Sequence, residues 1–451
     1  MASTYLTKTG STGDSRRIFT HSVWVKRCTV SKTDADMIIN SAIDESNQYY
    51  FELEGNSVGD DNDIRIRQLS SGSVNTLIKT SASFRDVSAW YHIVVAVDTT
   101  QATASNRIKL YVNGSQITSF DSSTYPSQNT DMEINTTSYT NYIGTRNTTG
   151  SHYFDGSMAH VHFIDGTAYD ATAFGEFDAN GIWTPNASPS VTYGTNGFFL
   201  DMASSGDMGN DVSGNNNDFT VNGTVTQALD TPSNVFCTMN SLIPQNPSSS
   251  WTFSNGNTTT TSVNTVSIAL STLGFSKGKW YWEIKVGAEV PAGLMAGIAK
   301  EGININSAYL GEDAFGYGYF VTGNKYNNGN QGAYGDAMTN GDIISVAYDA
   351  DNGTIWFARN GTWQNSATQT EIENGTTTNS AFSGLDTTTT YFCSMGNGGS
   401  TYTNYTNFGN GYFGTTAVAS GNADSAGLGI FEYTVPSGYY SLCTKNLAEF
   451  G

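Results

Sequence analysis

Two short stretches decide the fold: residues 107–117, RIKLYVNGSQI, and residues 354–363, TIWFARNGTW. Each combines an apolar-alternating strand, an Asn-Gly pair and the start of a return strand. Asn-Gly tolerates positive φ at both central positions, which suits the type I′ turn of a two-residue hairpin. Each stretch follows an apolar strand that ends in Asp, at residues 93–98 and 343–349. The repeated pattern predicts two domains of similar β architecture.

Short alternating segments continue along the whole chain, and turn residues separate them at the spacing of a β-sandwich. The chain has 48 Gly, 8 Pro, 12% aromatic and 13% charged residues, a composition of strands and tight turns rather than helices. A Pro- and Ser-rich break at residues 231–250 predicts a connector. We therefore predict an all-β protein of two tandem antiparallel sandwiches, at residues 1–230 and 251–451.

Charge and cysteine usage exclude several classes of protein. The formal net charge is −20 over 451 residues, so we expect neither nucleic acid nor an anionic membrane as a partner. Cys28, Cys237, Cys393 and Cys443 form no Cys-x-x-Cys pair, and they are interpreted as scattered apolar side chains. The N-terminus lacks the pattern of a secretory leader, so export on a particle or by lysis is the expectation.

The first half resembles the laminin G-like domains of tailed-phage structural proteins, over roughly residues 1–190. Separated blocks in a fixed order carry this resemblance: residues 16–27 (RRIFTHSVWVKR), 84–98 (FRDVSAWYHIVVAVD), 110–114 (LYVNG), 142–144 (YIG), 154–156 (FDG) and 162–166 (HFIDG).

The second half resembles a SPRY domain over about residues 250–450. Its blocks are residues 278–284 (GKWYWEI), 297–299 (GIA), 316–319 (GYGY), 341–344 (GDII), 356–361 (WFARNG) and 407–409 (NFG). In the first block, alternation places Trp280 and Trp282 on one face of a strand and Tyr281 and Glu283 on the other.

Both resemblances imply concanavalin-like jelly-roll sandwiches that bind proteins or glycans without catalysis. Together they imply a protein on the exterior of a phage virion. The expected role is a tail appendage or fibre-like protein that recognises a glycan or protein on the host surface. Its other expected partners are virion structural proteins, with self-association left open. The alternatives are a capsid decoration protein and a polysaccharide depolymerase.

A depolymerase needs two carboxylates across a cleft, and the nearest candidates are Glu52 and Glu54. Position 56, where glycosidases of this fold carry a further carboxylate, is Asn56. The alternative interpretation is a solvent-facing polar side of a half-buried strand. We expect no catalytic residues.

Two other groups are candidate metal ligands. His160 and His162 share one face of a predicted strand, with His152 or Asp165 as a third ligand. The loop at residues 207–218 is rich in oxygen donors, and a calcium ion is the one cofactor that it suggests, although none is required. Its candidate ligands are Asp207, Asp211, Asn215 and Asp218.

Aromatic residues near Asn- and Gly-rich turns in the second half are candidate ligand-binding groups, because Tyr and Trp on loops supply contact area at low entropic cost. These residues are Tyr326, Tyr334 and Trp363. The alternative is that aromatic side chains in this region lie in a strand and pack inside the domain.

Overall fold

A computed structural model describes residues 4–30, 32–57, 60–146, 152–179, 181–243, 251–263, 265–287, 293–305 and 308–451. Almost all regular structure in these residues is β-strand, which confirms the predicted all-β class. The chain divides into two compact units, Met1–Gln227 and Ala228–Gly451. No helix within the described ranges is long and apolar enough to cross a lipid bilayer.

The first unit is built from short strands joined by tight turns. They are β1 (Tyr5–Thr9), β2 (Ile18–Arg27), β3 (Asp36–Asp44), β4 (Asn47–Leu53), β5 (Asn56–Ser57), β6 (Asp60–Asp61), β7 (Ile64–Ser70), β8 (Ser73–Thr80), β9 (Tyr91–Asp98), β10 (Ile108–Val112), β11 (Ser115–Ile117), β12 (Phe120–Thr124), β13 (Thr140–Ile143), β14 (Gly156–Asp165), β15 (Gly175–Phe177), β16 (Trp183–Pro185), β17 (Phe198–Leu200) and β18 (Thr220–Asn222), with 3₁₀ turns at Ala104–Asn106 and Ala171–Ala173.

Fourteen of these strands form two antiparallel sheets that pack on one apolar core, and β5-β6 and β15-β16 are separate two-stranded pairs. The larger sheet has the order β12-β8-β7-β4-β3-β13-β1-β18, and the smaller sheet has the order β11-β10-β9-β2-β14-β17. Alternate residues from both sheets, such as Phe19, Phe51 and Val95, are fully buried in the core between them.

The second unit contains strands β19 (Trp251–Ser254), β20 (Thr259–Ser262), β21 (Val266–Phe275), β22 (Lys279–Val286), β23 (Leu294–Lys300), β24 (Gly316–Phe320), β25 (Asn324–Tyr326), β26 (Asn330–Ala333), β27 (Ile343–Asp349), β28 (Thr354–Arg359), β29 (Thr362–Trp363), β30 (Tyr391–Gly398), β31 (Tyr402–Asn407), β32 (Tyr412–Phe413), β33 (Thr416–Ala417) and β34 (Tyr440–Ser441). Two short helices are also present, α1 (Gln369–Glu373) and α2 (Thr444–Phe450).

This unit is again a pair of sheets. One has the order β19-β20-β31-β22-β27-β28-β29, and the other has the order β21-β30-β23-β24-β25-β26. Trp280 and Trp282 are fully buried in the core between the sheets, as the alternation in β22 predicts. On the opposite face of β22, Tyr281 packs with Trp356 and Phe431 in a second apolar cluster.

The segment predicted as a connector, residues 231–250, is in its described part built into the second unit. Phe236 pairs with Cys443, and Met239 pairs with Ser271. The side chains of Cys237 and Met239 are buried in the main core of that unit. The physical reason is that these apolar side chains gain more from burial than from exposure in a linker. Residues 244–250, which hold two of the prolines, lie outside the described residues.

Candidate binding face

The larger sheet of the first unit has an outer face that is rich in polar side chains. In β4, Phe51 and Leu53 point into the core. Because successive side chains in a strand point to opposite faces, Tyr50 and Glu52 lie on the outer face. Antiparallel pairing places Arg67 of β7 beside Tyr50, and Arg65 beside Glu52. Two parallel rows of side chains therefore cross these strands, and we call them the ion-pair row and the arginine row.

The ion-pair row contains Glu52, Glu54, Asp63, Arg65 and Lys79. The Arg65 guanidinium contacts both glutamates, and its Nε donates to Glu52 Oε1 at 2.8 Å. Lys79 lies 3.2 Å from Glu54 and 3.2 Å from Asp63. The interpretation of Glu52 and Glu54 as a solvent-facing polar side is therefore wrong, because both are buried among cations.

This arrangement bears on catalysis. A glycosidase holds two carboxylates on either side of the bond to be broken. Here Glu52 and Glu54 contact one guanidinium and are shielded from solvent, with 0% and 1% of their surface exposed. Breaking a buried ion pair is costly, so the geometry favours a structural role for these carboxylates.

The arginine row contains Tyr50, Arg67, Arg146 and Gln48. Arg67 Nη1 donates to the Tyr50 hydroxyl at 3.2 Å, and the Arg146 guanidinium lies 5.1 Å from the centre of the same ring. Arg146 Nε also donates to Gln48 Oε1 at 3.4 Å. Within the part of the chain that the structure describes, neither arginine has an acidic partner. Both residues are half-buried, so part of each remains accessible to solvent.

Tyr50 is the residue of this row that both arginines contact. Its ring is fully buried and belongs to a small cluster with Met37 and Leu69. Burial raises the pKa of the Tyr50 hydroxyl, and the nearby Glu52 carboxylate adds to this, while the neighbouring arginines act in the opposite direction. The neutral phenol and the sheet behind it fix where the two guanidiniums lie.

The histidine pair, His160 and His162, lies at a β-bulge. The pairing of β14 with β2 shifts register between Ala159 and His162, and His160 has a φ of 48°. His162 is buried, stacks on Phe199 with ring centres 4.0 Å apart, and lies 3.0 Å from the Tyr193 hydroxyl through Nδ1. The rings of His160 and His162 are nevertheless 6.2 Å apart, centre to centre. Across the described ranges, no three or more His, Cys, Asp or Glu side chains are placed to hold a metal ion.

In the loop at residues 207–218, the candidate calcium ligands form hydrogen bonds with neighbouring protein groups. The Asp211 carboxylate accepts hydrogen bonds from the amides of Phe199, Ser213 and Asn217 and from the Ser213 hydroxyl. Asp218 accepts the amide of Asp211 at 2.8 Å, and Asn215 donates its side-chain amide to two carbonyls. Asp207 is exposed nearby. Calcium at this loop stays a prediction.

Comparisons with known proteins identify the two units. A laminin G family model, described as the Concanavalin A-like lectin/glucanases superfamily, matches residues 2–172, and the SPRY domain model matches residues 279–383. The chain carries a laminin G-like domain followed by a SPRY domain. Both are β-sandwiches, so the predicted pair of concanavalin-like sandwiches is confirmed. Domains of these two kinds are generally non-catalytic binding modules.

Similar proteins match only parts of the chain. A 93-residue stretch is 36% identical to the ATP-dependent RNA helicase DDX1 of Xenopus laevis, and it covers 20% of this chain and 12% of that protein. The SPRY domain of human HERC1 covers 35% of the chain and 91% of its own length at 19% identity, with a TM-score of 0.29. The stonustoxin structure covers 38% of the chain and 27% of its own length at 15% identity, with a TM-score of 0.29.

In the SPRY domain, the three predicted ligand-binding aromatics lie apart. Tyr334 is buried in the main core, where it packs against Tyr319 and Phe357, which corrects the prediction of a surface role for it. Tyr326 is half-buried on β25 against Phe320. Trp363, on β29 of the other sheet, is half-buried against the second apolar cluster. For Tyr326 and Trp363, ligand binding stays a prediction.

The arginine row is not among the sites predicted from the sequence. Arg67 and Arg146 are 79 positions apart, and nothing near either residue suggests a site. The available signal was the alternation of β7, in which Arg65 and Arg67 must share the outer face. That Tyr50 of β4 lies beside Arg67 is known only once the pairing register of the two strands is known.

Proposed function

We propose that this protein is a non-enzymatic recognition protein whose laminin G-like domain binds a glycan on the outer face of its larger sheet. The observation that carries the proposal is the arginine row, in which Arg67 and Arg146 converge on the buried ring of Tyr50. Their planar guanidiniums offer several fixed hydrogen-bond donors and a flat surface for a sugar ring. The side chain of Gln48, which is fully buried, accepts hydrogen bonds from Arg146 and Asn40 and so supports the row from below.

The rigidity of this face supports a binding role. Hydrogen-bonded strands hold the arginine row on one side, and the ion-pair row packs against it on the other. When binding groups are already held in place, little conformational entropy is lost as the ligand binds. The carboxylates that hydrolysis needs are already engaged by Arg65 and Lys79.

The test is binding of the full chain to an array of immobilised oligosaccharides. The double variant Arg67→Ala/Arg146→Ala removes the donors of the face, and Lys109→Ala, on the other sheet of the same domain, is the matched control. We expect the wild type and the control to bind a common set of glycans and the double variant to lose them. Equal binding by all three proteins would contradict a ligand site at this face.

The finer proposal concerns where the protein acts. The ordered sequence blocks of the first half resemble phage structural proteins, so we propose a position on the exterior of a virion, in contact with other virion proteins and recognising a host glycan or protein. A tail appendage predicts antibody labelling at the tail and adsorption that free protein blocks. A capsid decoration protein predicts labelling on capsid facets and particles that still infect without it. Purified particles that lack the chain would contradict both.

A further inference from the structure

We infer that the glycan bound at the arginine row carries an isolated negative charge, a carboxylate or a sulfate ester, that lies against Arg67 and Arg146. This inference rests on the proposed glycan-binding function and names the chemical class of its ligand. Three observations carry it: the two arginines have no acidic partner among the described residues, both contact Tyr50, and the chain as a whole is acidic.

The first observation is the charge balance of the face. The chain has 20 basic and 40 acidic side chains, so an ion pair with an acidic side chain is the expected state of an arginine. Arg65 contacts Glu52 and Glu54 in the adjacent row, and Arg27 pairs with Asp36 at 2.9 Å. Arg67 and Arg146 instead contact a phenol, an aromatic ring and an amide, all neutral. Among the described residues, their charges are not balanced by an acid.

The second observation is that Arg67 and Arg146 both contact Tyr50. Arg67 donates to the Tyr50 hydroxyl, and the Arg146 guanidinium lies 5.1 Å from the centre of the Tyr50 ring, so two cations contact one side chain. An anionic group that lies against this tyrosine is attracted by both cations. Guanidinium donors also match the planar geometry of a carboxylate, and they form the shorter, stronger hydrogen bonds of charge-assisted pairs.

The third observation limits the density of charge on the ligand. A net charge of −20 repels an extended polyanion, whereas a single anionic group is influenced mainly by charges within about 8–10 Å, the Debye length at moderate salt. Of the charges beside Tyr50, Glu52 is already paired with Arg65, whereas Arg67 and Arg146 have no acidic partner among the described residues. Nucleic acid fits poorly, because its phosphates are closely spaced and the one aromatic ring of the row is buried and unable to stack on a base.

The experiment uses the full chain and immobilised oligosaccharides of matched sequence that end in glucose, glucuronate or glucose 6-sulfate, with a single-stranded oligonucleotide as a further probe. We expect the glucuronate or the sulfate form to bind and the neutral form to bind at least about tenfold more weakly. Arg67→Gln and Arg146→Gln should each weaken binding of the acidic form about tenfold and should weaken binding of the neutral form less, so that the preference for the acidic form falls. Lys109→Gln, which removes one positive charge from the other sheet, should change neither.

Each outcome has a clear meaning. Preference for glucuronate identifies a carboxylate as the ligand group, and preference for the sulfate form identifies a sulfate ester; both support the inference. Equal binding of neutral and acidic forms that is lost in the Arg67→Ala/Arg146→Ala variant overturns the inference while the proposed binding face stands. Tighter binding of the oligonucleotide than of any glycan, or no binding to any probe, overturns the inference together with the glycan proposal.

Discussion

Asn113 in the laminin G-like domain and Asn360 in the SPRY domain occupy the same structural position. Each begins an Asn-Gly turn with positive φ, 48° and 50° respectively. Asn113 Oδ1 accepts the amide hydrogen of His92 at 2.8 Å, and Asn360 Oδ1 accepts that of Ile343 at 2.9 Å. In both cases the side chain ties the turn to the strand beside the hairpin. This shared device explains why the two Asn-Gly stretches predict the architecture of both domains.

Replacing Asn113 or Asn360 with Ala should destabilise the domain that contains it by about 2 kcal/mol. The change removes a hydrogen bond to a backbone amide and places a β-carbon at positive φ. Asn129→Ala is the matched control, because Asn129 is exposed, has a φ of 63° and forms no side-chain hydrogen bond among the described residues. Urea unfolding measures the difference, and equal losses at Asn113 and Asn129 would assign the effect to backbone strain alone.

Acid should destabilise the laminin G-like domain through its buried histidines. Burial lowers the pKa of His21 and of His92 to about 3, so both stay neutral in the folded domain well below pH 6.5. The unfolded chain takes up these protons near pH 6.5, and stability falls as the pH drops from there towards 3. Each histidine contributes about 1.4 kcal/mol per pH unit in this range.

The variant His21→Phe tests this prediction. Both ring nitrogens of His21 are buried and lack a hydrogen-bond partner among the described residues, and the ring lies among Phe19, Phe51 and Phe163. Phe should therefore raise stability by about 1–3 kcal/mol at pH 7 and reduce the loss in acid. His152→Asn, at a partly exposed histidine, is the control. A wild-type pH profile that the Phe variant reproduces would exclude His21 as a source of the acid sensitivity.

The SPRY domain should respond to pH in the opposite sense through Glu283. Its carboxylate accepts the amides of Glu432 and Tyr433, the Tyr281 hydroxyl and the Asn407 amide, yet burial raises its pKa to about 7. Between pH 4.5 and 7 the unfolded chain is ionised here while the folded domain holds its proton. This contribution to stability is therefore full below pH 4.5 and is lost as the pH rises through 7.

Glu283→Gln should remove this pH dependence. Gln cannot ionise, so the free energy of unfolding of the variant should change less than that of the wild type between pH 4.5 and 7. Its amide nitrogen must face one of the backbone N–H groups whose hydrogen bonds Glu283 accepts, so the variant should also lose some stability at every pH. Glu432→Gln, whose side chain accepts only the Ala419 amide among the described contacts, is the control. If the variant and wild-type profiles run parallel across this range, Glu283 is not the titrating group.

Glu283 also marks the limit of sequence-based prediction. Alternation in β22 correctly placed Trp280 and Trp282 in the core, because that signal is local. The sequence gives no comparable signal that Tyr281 and Glu283 would be covered as well. Residues 431–439, about 150 positions later, cover them, and contacts at that separation leave no periodic pattern. The same holds for Glu52, whose partner Arg65 was visible in the sequence while the register that joins them was not.

Glu52→Gln should act on stability and not on catalysis. Loss of this carboxylate removes a charge-assisted hydrogen bond to Arg65, which still contacts Glu54, so the expected cost is about 1–3 kcal/mol. Glu176→Gln, at an exposed glutamate in the same domain, should cost almost nothing. The double variant Glu52→Leu/Arg65→Met should not recover the loss, because it also removes the contact of Arg65 with the buried Glu54. A depolymerase makes the opposite prediction: the wild type releases reducing sugar from a polysaccharide, and Glu52→Gln keeps the fold but abolishes release. Observing that combination would assign the ion-pair row to catalysis and would remove the argument for a purely recognising face.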